Sequence, residues 1–256
     1  MRTYNELNTF LEWTREEKDH FSVNVIKGLI MDGIRKANSG HPGGAMSSAD
    51  FAYILFSKIL KLDPDNPDWV NRDRFVLSAG HESMLLYSLL FMNGWMQMDD
   101  IKSFRQLNSL TPGHPEVELP GVECTTGPLG QGVGMGVGMA VAEAILNHLF
   151  EDKKTPNPVN HYTYILAGDG DLQEPIVFGA AALAGHWKLA KIIMYYDSND
   201  AQISGKIGRS DSTDYAGVFE ALGWNVNTID GHDHDAIKST IETAKVIDMP
   251  SLIIGK

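Results

Sequence analysis

The sequence predicts an α/β fold, with a mainly parallel sheet of about five strands and helices on both faces, and three observations carry that prediction. Residues 162–167 and 192–196 are apolar runs rich in β-branched and aromatic side chains. The segment between them, 175–187, has helix composition, and Pro175 suits its first turn. A strand, helix and strand of this length make the two strands parallel, so the turns after them leave at one edge of the sheet. The alternation continues through further short apolar runs at 74–77, 225–229 and 251–254. Finally, no internal repeat or low-complexity tract interrupts the pattern, and nothing marks a second domain, so residues 1–256 are expected to form one unit.

The elements follow in order. Residues 5–19 form a charged amphipathic segment, expected as a helix in an N-terminal extension of about 1–20. Val25, Ile26, Leu29, Ile30 and Ile34 mark a second helix over 21–37, stopped by Asn38-Ser39-Gly40. A loop, GHPGGAM, precedes a helix over 48–60. After the strand at 74–77 and Ala79-Gly80-His81, a helix runs to Asn93 and a short one covers 99–106. Residues 109–132 are rich in Gly, Pro and Thr, a long loop of the kind usually kept for function. A helix at 131–150 and a polar linker at 151–160 lead to the central stretch, 162–204. Helices at 215–222 and 233–246 alternate with the last two strands.

Bulk properties narrow the function. A content of 43% hydrophobic and 21% charged residues is ordinary for a soluble globular protein. The net charge of −12 argues against a general nucleic-acid or anionic-membrane surface. The single cysteine, Cys124, excludes an intrachain disulfide and reads as a small buried side chain rather than a nucleophile. The first residues lack a signal peptide's apolar core, and no run reads as a membrane span, so the expected location is cytoplasmic.

The chemistry concentrates where strands end. Asp169, in Gly168-Asp169-Gly170, and Asn199, in Asp197-Ser198-Asn199, close two parallel strands and so converge. With the main-chain carbonyl of Ala201 they make an incomplete octahedron of oxygen ligands, which Mg²⁺ completes from phosphate and water. Gly127-Pro128-Leu129-Gly130 places free N–H groups at a helix start, where phosphate is favoured. His41, His81 and His114 each lie in a Gly-containing loop, and together they indicate a polar pocket, although their spacing matches no zinc pattern. His148, His161, His186, His232 and His234 have no such context and read as structural, with His232 and His234 in a solvated turn. In the helix at 131–150, Gly132, Gly136 and Ala140 share one face, which suits either tight packing or a ligand.

The motifs SGHPGGAMSSAD, DRFVLSAGHESMLLYSLL, SFRQLNSLTPGHPE, TTGPLGQG, GDGDLQE and YYDSND, in that order, resemble the N-terminal, diphosphate-binding section of the transketolase family, within the thiamine diphosphate-dependent enzymes. The resemblance runs from about residue 21 to 256 and implies the family's diphosphate-binding (PP-type) fold. It implies that Asp169, Asn199 and the Ala201 carbonyl hold Mg²⁺ or Ca²⁺. Gly170 and His81 would seat the diphosphate, and Gly127, Pro128 and Leu129 would contact the rest of the cofactor. His41, His81 and His114 would bind sugar hydroxyls and help move protons, and Glu174 would join an acidic network at a subunit interface. The implied reaction transfers a two-carbon ketol unit from a ketose phosphate to an aldose phosphate.

The sequence departs from the family pattern at Glu82, where a small residue is usual, at Asp200-Ala201-Gln202, and at Pro175. Nothing in it resembles the pyrimidine-binding or C-terminal domains, so the expectation is half an active site, active with a pyrimidine-domain partner, and a homo-oligomer. The alternatives are a catalytically silent cofactor-binding or interaction module, and half of a related ketol transferase such as dihydroxyacetone synthase.

Overall fold

Short apolar runs bounded by turn residues become the strands, because each can be covered on both sides by the helices that connect it. In the computed structural model, which describes residues 4–152, 155–202 and 205–256, these are β1 (Arg74–Leu77), β2 (Thr163–Gly168) and β3 (Ile192–Asp197). A small hairpin, β4 (Ala201–Gln202) and β5 (Gly205–Lys206), precedes β6 (Asn225–Ile229) and β7 (Ser251–Gly255). Parts of the expected extension (1–3), the linker (153–154) and the central stretch (203–204) lie outside the described residues. The main sheet is parallel throughout, in the order β1-β2-β3-β7-β6. The expected α/β class and strand count are both met.

The helices are α1 (Arg15–Ala37), α2 (Gly43–Ser47), α3 (Ala49–Ile54), α4 (Ser83–Met92), α5 (Met98–Lys102) and α6 (Gln131–Leu149). They continue as α7 (Asp169–Leu172), α8 (Pro175–His186), α9 (Tyr215–Ala221) and α10 (His234–Ala244). Right-handed crossovers that step one way along the sheet leave their helices on one face. So α6, α8 and α9 cover Ile165, Ala167, Met194, Tyr196 and Ile254. The chain reverses direction from β6 to β7, which puts α10 on the other face with α1, α3 and α4, over Tyr164, Leu166, Tyr195 and Ile253. The core is thus two layers divided by the sheet.

Three expectations need correction. One 23-residue helix replaces the two expected before Asn38, because Thr14 caps it with a reciprocal box to Glu17, a device that stabilises a helix start by about 1 kcal/mol. Residues 4–12 form a 3₁₀ segment instead. Gly43 and Gly44 of GHPGGAM are helical (α2), and the helix expected over 48–60 is α3 followed by a π-helical turn at Leu55–Ile59. The helix α6, contrary to the reading that no run suits a membrane, is long and apolar enough to cross one, with a mean hydropathy of 1.2. Its buried side, Gly132, Val133, Gly136, Val137 and Ala140, lies on the sheet.

The glycines of α6 divide by what they meet. A Cβ on Gly132 would fall 2.5 Å from Ser78 Cα, and one on Gly136 would fall 2.6 Å from Ile165 Cδ1, so tight packing is their role. Gly138 is exposed and meets nothing within 4 Å. Gly138→Ala is therefore expected to raise stability by about 1 kcal/mol, and Gly132→Ala to lower it by about 1–3 kcal/mol. Thermal melts of the two variants check the contrast.

Candidate functional site

Strand register sets the site. Gly168, Asp197 and Gly255 are neighbours across β2, β3 and β7, all at carboxyl ends, the edge where open parallel sheets take ligands. The Gly-Asp-Gly segment, expected as a turn, starts the single helical turn α7. The carboxylate of Asp171, which is fully buried, accepts from Gly168 N (3.1 Å), Ser78 Oγ (2.6 Å) and Gly130 N (2.8 Å). One side chain thus joins the ends of β1 and β2 to the loop that opens α6. Burial raises its pKa, and the same three hydrogen bonds oppose that.

Asp169 stands next in the chain with a different environment. Its Oδ1 accepts from the Tyr196 hydroxyl, while Oδ2 is buried with no hydrogen-bond partner. Burial raises its pKa; Tyr196 and the Ala201 amide lower it, and the charge of Asp197 raises it further. Asn199 Nδ2 donates to Asp197 Oδ2 at 2.7 Å, which turns Oδ1 to the Ala201 N–H at 3.0 Å. The Ala201 amide therefore stands beside both Asp169 and Asn199. The orphaned carboxylate oxygen of Asp169 is a hard donor of the kind that fits Mg²⁺ or Ca²⁺. Among the described residues no cluster of three His, Cys, Asp or Glu side chains suits a metal.

The 127–130 loop packs on this turn. A Cβ on Gly170 would lie 2.9 Å from Leu129 Cδ1, and one on Gly130 would lie 2.7 Å from Glu174 Cβ. Pro128, between them, gives its carbonyl to Gln131 N at 3.4 Å. Leu129 therefore packs on Gly170 of α7, and Gly130 on Glu174.

The three loop histidines also meet. His41 and His81 lie edge to face with centroids 5.2 Å apart, and the His114 ring packs 3.2 Å from where a Gly127 Cβ would be. Tyr87 and Ser83 on α4 hold the His114 loop, donating to the carbonyls of Pro112 (3.0 Å), His114 (3.1 Å) and Gly113 (2.9 Å). Burial first, then neighbouring His41 and His114, depresses the His81 pKa to about 4. His41 and His114 are also lowered, by burial and then by Arg105. Arg105 escaped the sequence reading, because a lone arginine in a helix-like segment carries no periodic signal.

Glu82 was visible as a departure, and its placement is new. It is 2% exposed, with Oε2 unpartnered, and a Cβ on Gly44 would fall 2.0 Å from Oε1, so the glycine makes its room. Burial, then the charges of Asp197 and Asp171, push its pKa well above the ordinary range. His232 and His234, read as a solvated turn, instead hold the buried Asp50 at 3.0 and 2.8 Å. Cys124 fits its structural reading, its thiol pushed up to about 11 by burial.

These features define an α/β domain that gathers a buried, unpartnered carboxylate oxygen and a histidine cluster at one sheet edge. Residues 18–256 match the family described as transketolase, thiamine diphosphate binding domain, and the chain belongs to that family. It is 51% identical over 238 residues to a transketolase of Halalkalibacterium halodurans, covering 92% of this chain and 36% of the relative. The transketolase structure from Leishmania mexicana superposes with a TM-score of 0.91 at 41% identity, over 93% of this chain and 36% of that one. A Pichia stipitis transketolase in complex with sedoheptulose-7-phosphate superposes with a TM-score of 0.90 at 39% identity, over 93% of this chain and 36% of that one. The chain thus spans little more than a third of these relatives.

Glu82 yields a pH-dependent prediction. Its pKa is higher folded than unfolded, so its stabilising protonation is complete below the ordinary value of 4.5 and is lost as the pH rises through the folded value. Glu82→Gln is expected to match the unmodified chain below that pH. Above it, the variant gains up to about 1.4 kcal/mol per pH unit until the folded pKa is passed. Urea melts across the acid range, read as the difference between the two proteins, check the trend.

Proposed function

We propose that this chain is the diphosphate-binding section of a transketolase, serving transfer of a two-carbon ketol unit from a ketose phosphate to an aldose phosphate. The observation that carries the reading is the buried, unpartnered Oδ2 of Asp169 beside Asn199 and Ala201. Asp169, Asn199 and the Ala201 carbonyl would hold Mg²⁺ (or Ca²⁺), which neutralises the turn's negative charge. Gly170 and His81 would seat the diphosphate of thiamine diphosphate, with Gly127, Pro128 and Leu129 against the rest of the molecule. When bound, the cofactor supplies the electron sink for breaking the carbon–carbon bond of the ketose. His41, His81 and His114, low in pKa and therefore neutral at pH 7, would orient sugar hydroxyls by hydrogen bonds and pass protons without adding positive charge.

The remainder of the site would come from a pyrimidine-binding domain or subunit. Supporting this is an apolar face on α6 and α8, where Met135, Ile145, Leu149, Ile176, Leu183 and Trp187 are exposed. Glu174 opens α8 beside that face and would join the interface, so the assembled enzyme would be an oligomer acting in the cytoplasm. Calorimetric titration of the chain with thiamine diphosphate and Mg²⁺ is expected to show binding that Asp169→Ala weakens by about 100-fold or more. Transfer from xylulose 5-phosphate to ribose 5-phosphate is expected once the complementary half is added. A folded complement that restores no transfer, with the cofactor bound, contradicts the enzyme reading.

A further inference from the structure

Arg105 lies where two histidine-bearing loops approach each other. It follows α5 with a backbone φ of 58°, in the left-handed region, and its N–H donates to Thr111 O at 2.8 Å. Its guanidinium lies by the Phe104 ring, 5.5 Å from the centroid, and beside Gly113, where a Cβ would be 3.1 Å from Nε. From there Nη1 donates to Ser39 Oγ at 2.8 Å, and Nη2 is 3.4 Å from His41 Nδ1.

A guanidinium carries five N–H donors, has no acceptor, and stays charged at every physiological pH. A ring nitrogen turned towards it must present a lone pair. With His41 Nδ1 as the acceptor of that contact, the proton of the neutral ring falls on Nε2. The other titratable groups facing His41 are His81, edge to face at 5.2 Å, and His114. No carboxylate is among the groups that shift His41, whose pKa is lowered by burial, then by Arg105, then by His114.

We infer that Arg105 is a positioning residue that fixes His41 as the Nε2–H tautomer, so that His41 offers its pocket a hydrogen-bond donor at Nε2. The assignment deepens the proposed substrate-facing role of His41 and rests on that reading for its catalytic meaning. The tautomer itself depends only on the geometry of this chain. Arg105 also ties the loop after α1 to the loop carrying His114, so one side chain sets both the spacing of the two imidazoles and their charge.

Long-range ¹H–¹⁵N spectra of the full chain, with the His41 signal assigned through His41→Gln, decide the matter. The expected pattern is a pyridine-type Nδ1 and a pyrrole-type Nε2. In Arg105→Met the His41 midpoint is expected to rise by about one pH unit and the tautomers to mix. Arg105→Lys is expected to recover part of the lowered midpoint through its charge. A protonated Nδ1 in the unmodified chain overturns the inference, and this result needs no variant to fold. So does a folded Arg105→Met whose His41 spectrum and titration are unchanged. Absent cofactor binding with the expected tautomer counts against the proposed function alone.

Discussion

The Asp171 carboxylate accepts hydrogen bonds from Ser78, Gly130 and Gly168, and these three groups belong to segments far apart in the chain. Ser78 follows β1, Gly168 ends β2, and Gly130 opens α6. Each donor is buried with the acid, where an unmade hydrogen bond costs about 1–3 kcal/mol. The positions of the Gly127–Leu129 loop, of the α7 start and hence of Asp169 all follow from this one acceptor. Its neighbours in the chain are placed by it too: Asp169 faces Tyr196 and the Ala201 turn, while Gly170 packs under Leu129.

Around that tie the site divides electrostatically. Asp169, Asp171, Asp197 and Glu82 crowd the end of β2 and β3, and burial raises the pKa of each. Such a concentration of acids favours protons or a cation, since buried charge must be matched. The other side holds His41 and His114, lowered by burial and then by the charge of Arg105, and His81, lowered by burial and then by the other two histidines. The apolar α6–α8 face adjoins the first side through Glu174, which packs against Gly130.

The sheet was legible in the sequence because every strand is a short apolar run with a stop signal, and the parallel order follows from handed crossovers. The convergence of Asp169 with Asn199 was legible for the same reason, since residues after parallel strands share an edge, whereas the three histidines were legible only from their shared Gly-containing loop context. The break expected between residues 19 and 21 failed because the Thr14 cap acts upstream of the periodic segment. The helical conformation of Gly43-Gly44-Ala45-Met46 was hidden by glycines that normally mark loops, one of which makes room for Glu82. Asp171 and Arg105 were missed altogether, since each works through hydrogen bonds to distant segments, and no local pattern encodes those.

Amide hydrogen exchange in Asp171→Asn tests the central role of that carboxylate most directly. The amide group of the variant presents an N–H₂ towards donors, so one of the Gly130 and Gly168 amides loses its acceptor. The asparagine keeps one acceptor oxygen, so the expected result is lost protection at one of Gly130 and Gly168, with the protection of β3 and β7 retained. Unchanged protection at Gly130 and Gly168 would contradict the account, because the loops would then be held together by something other than Asp171.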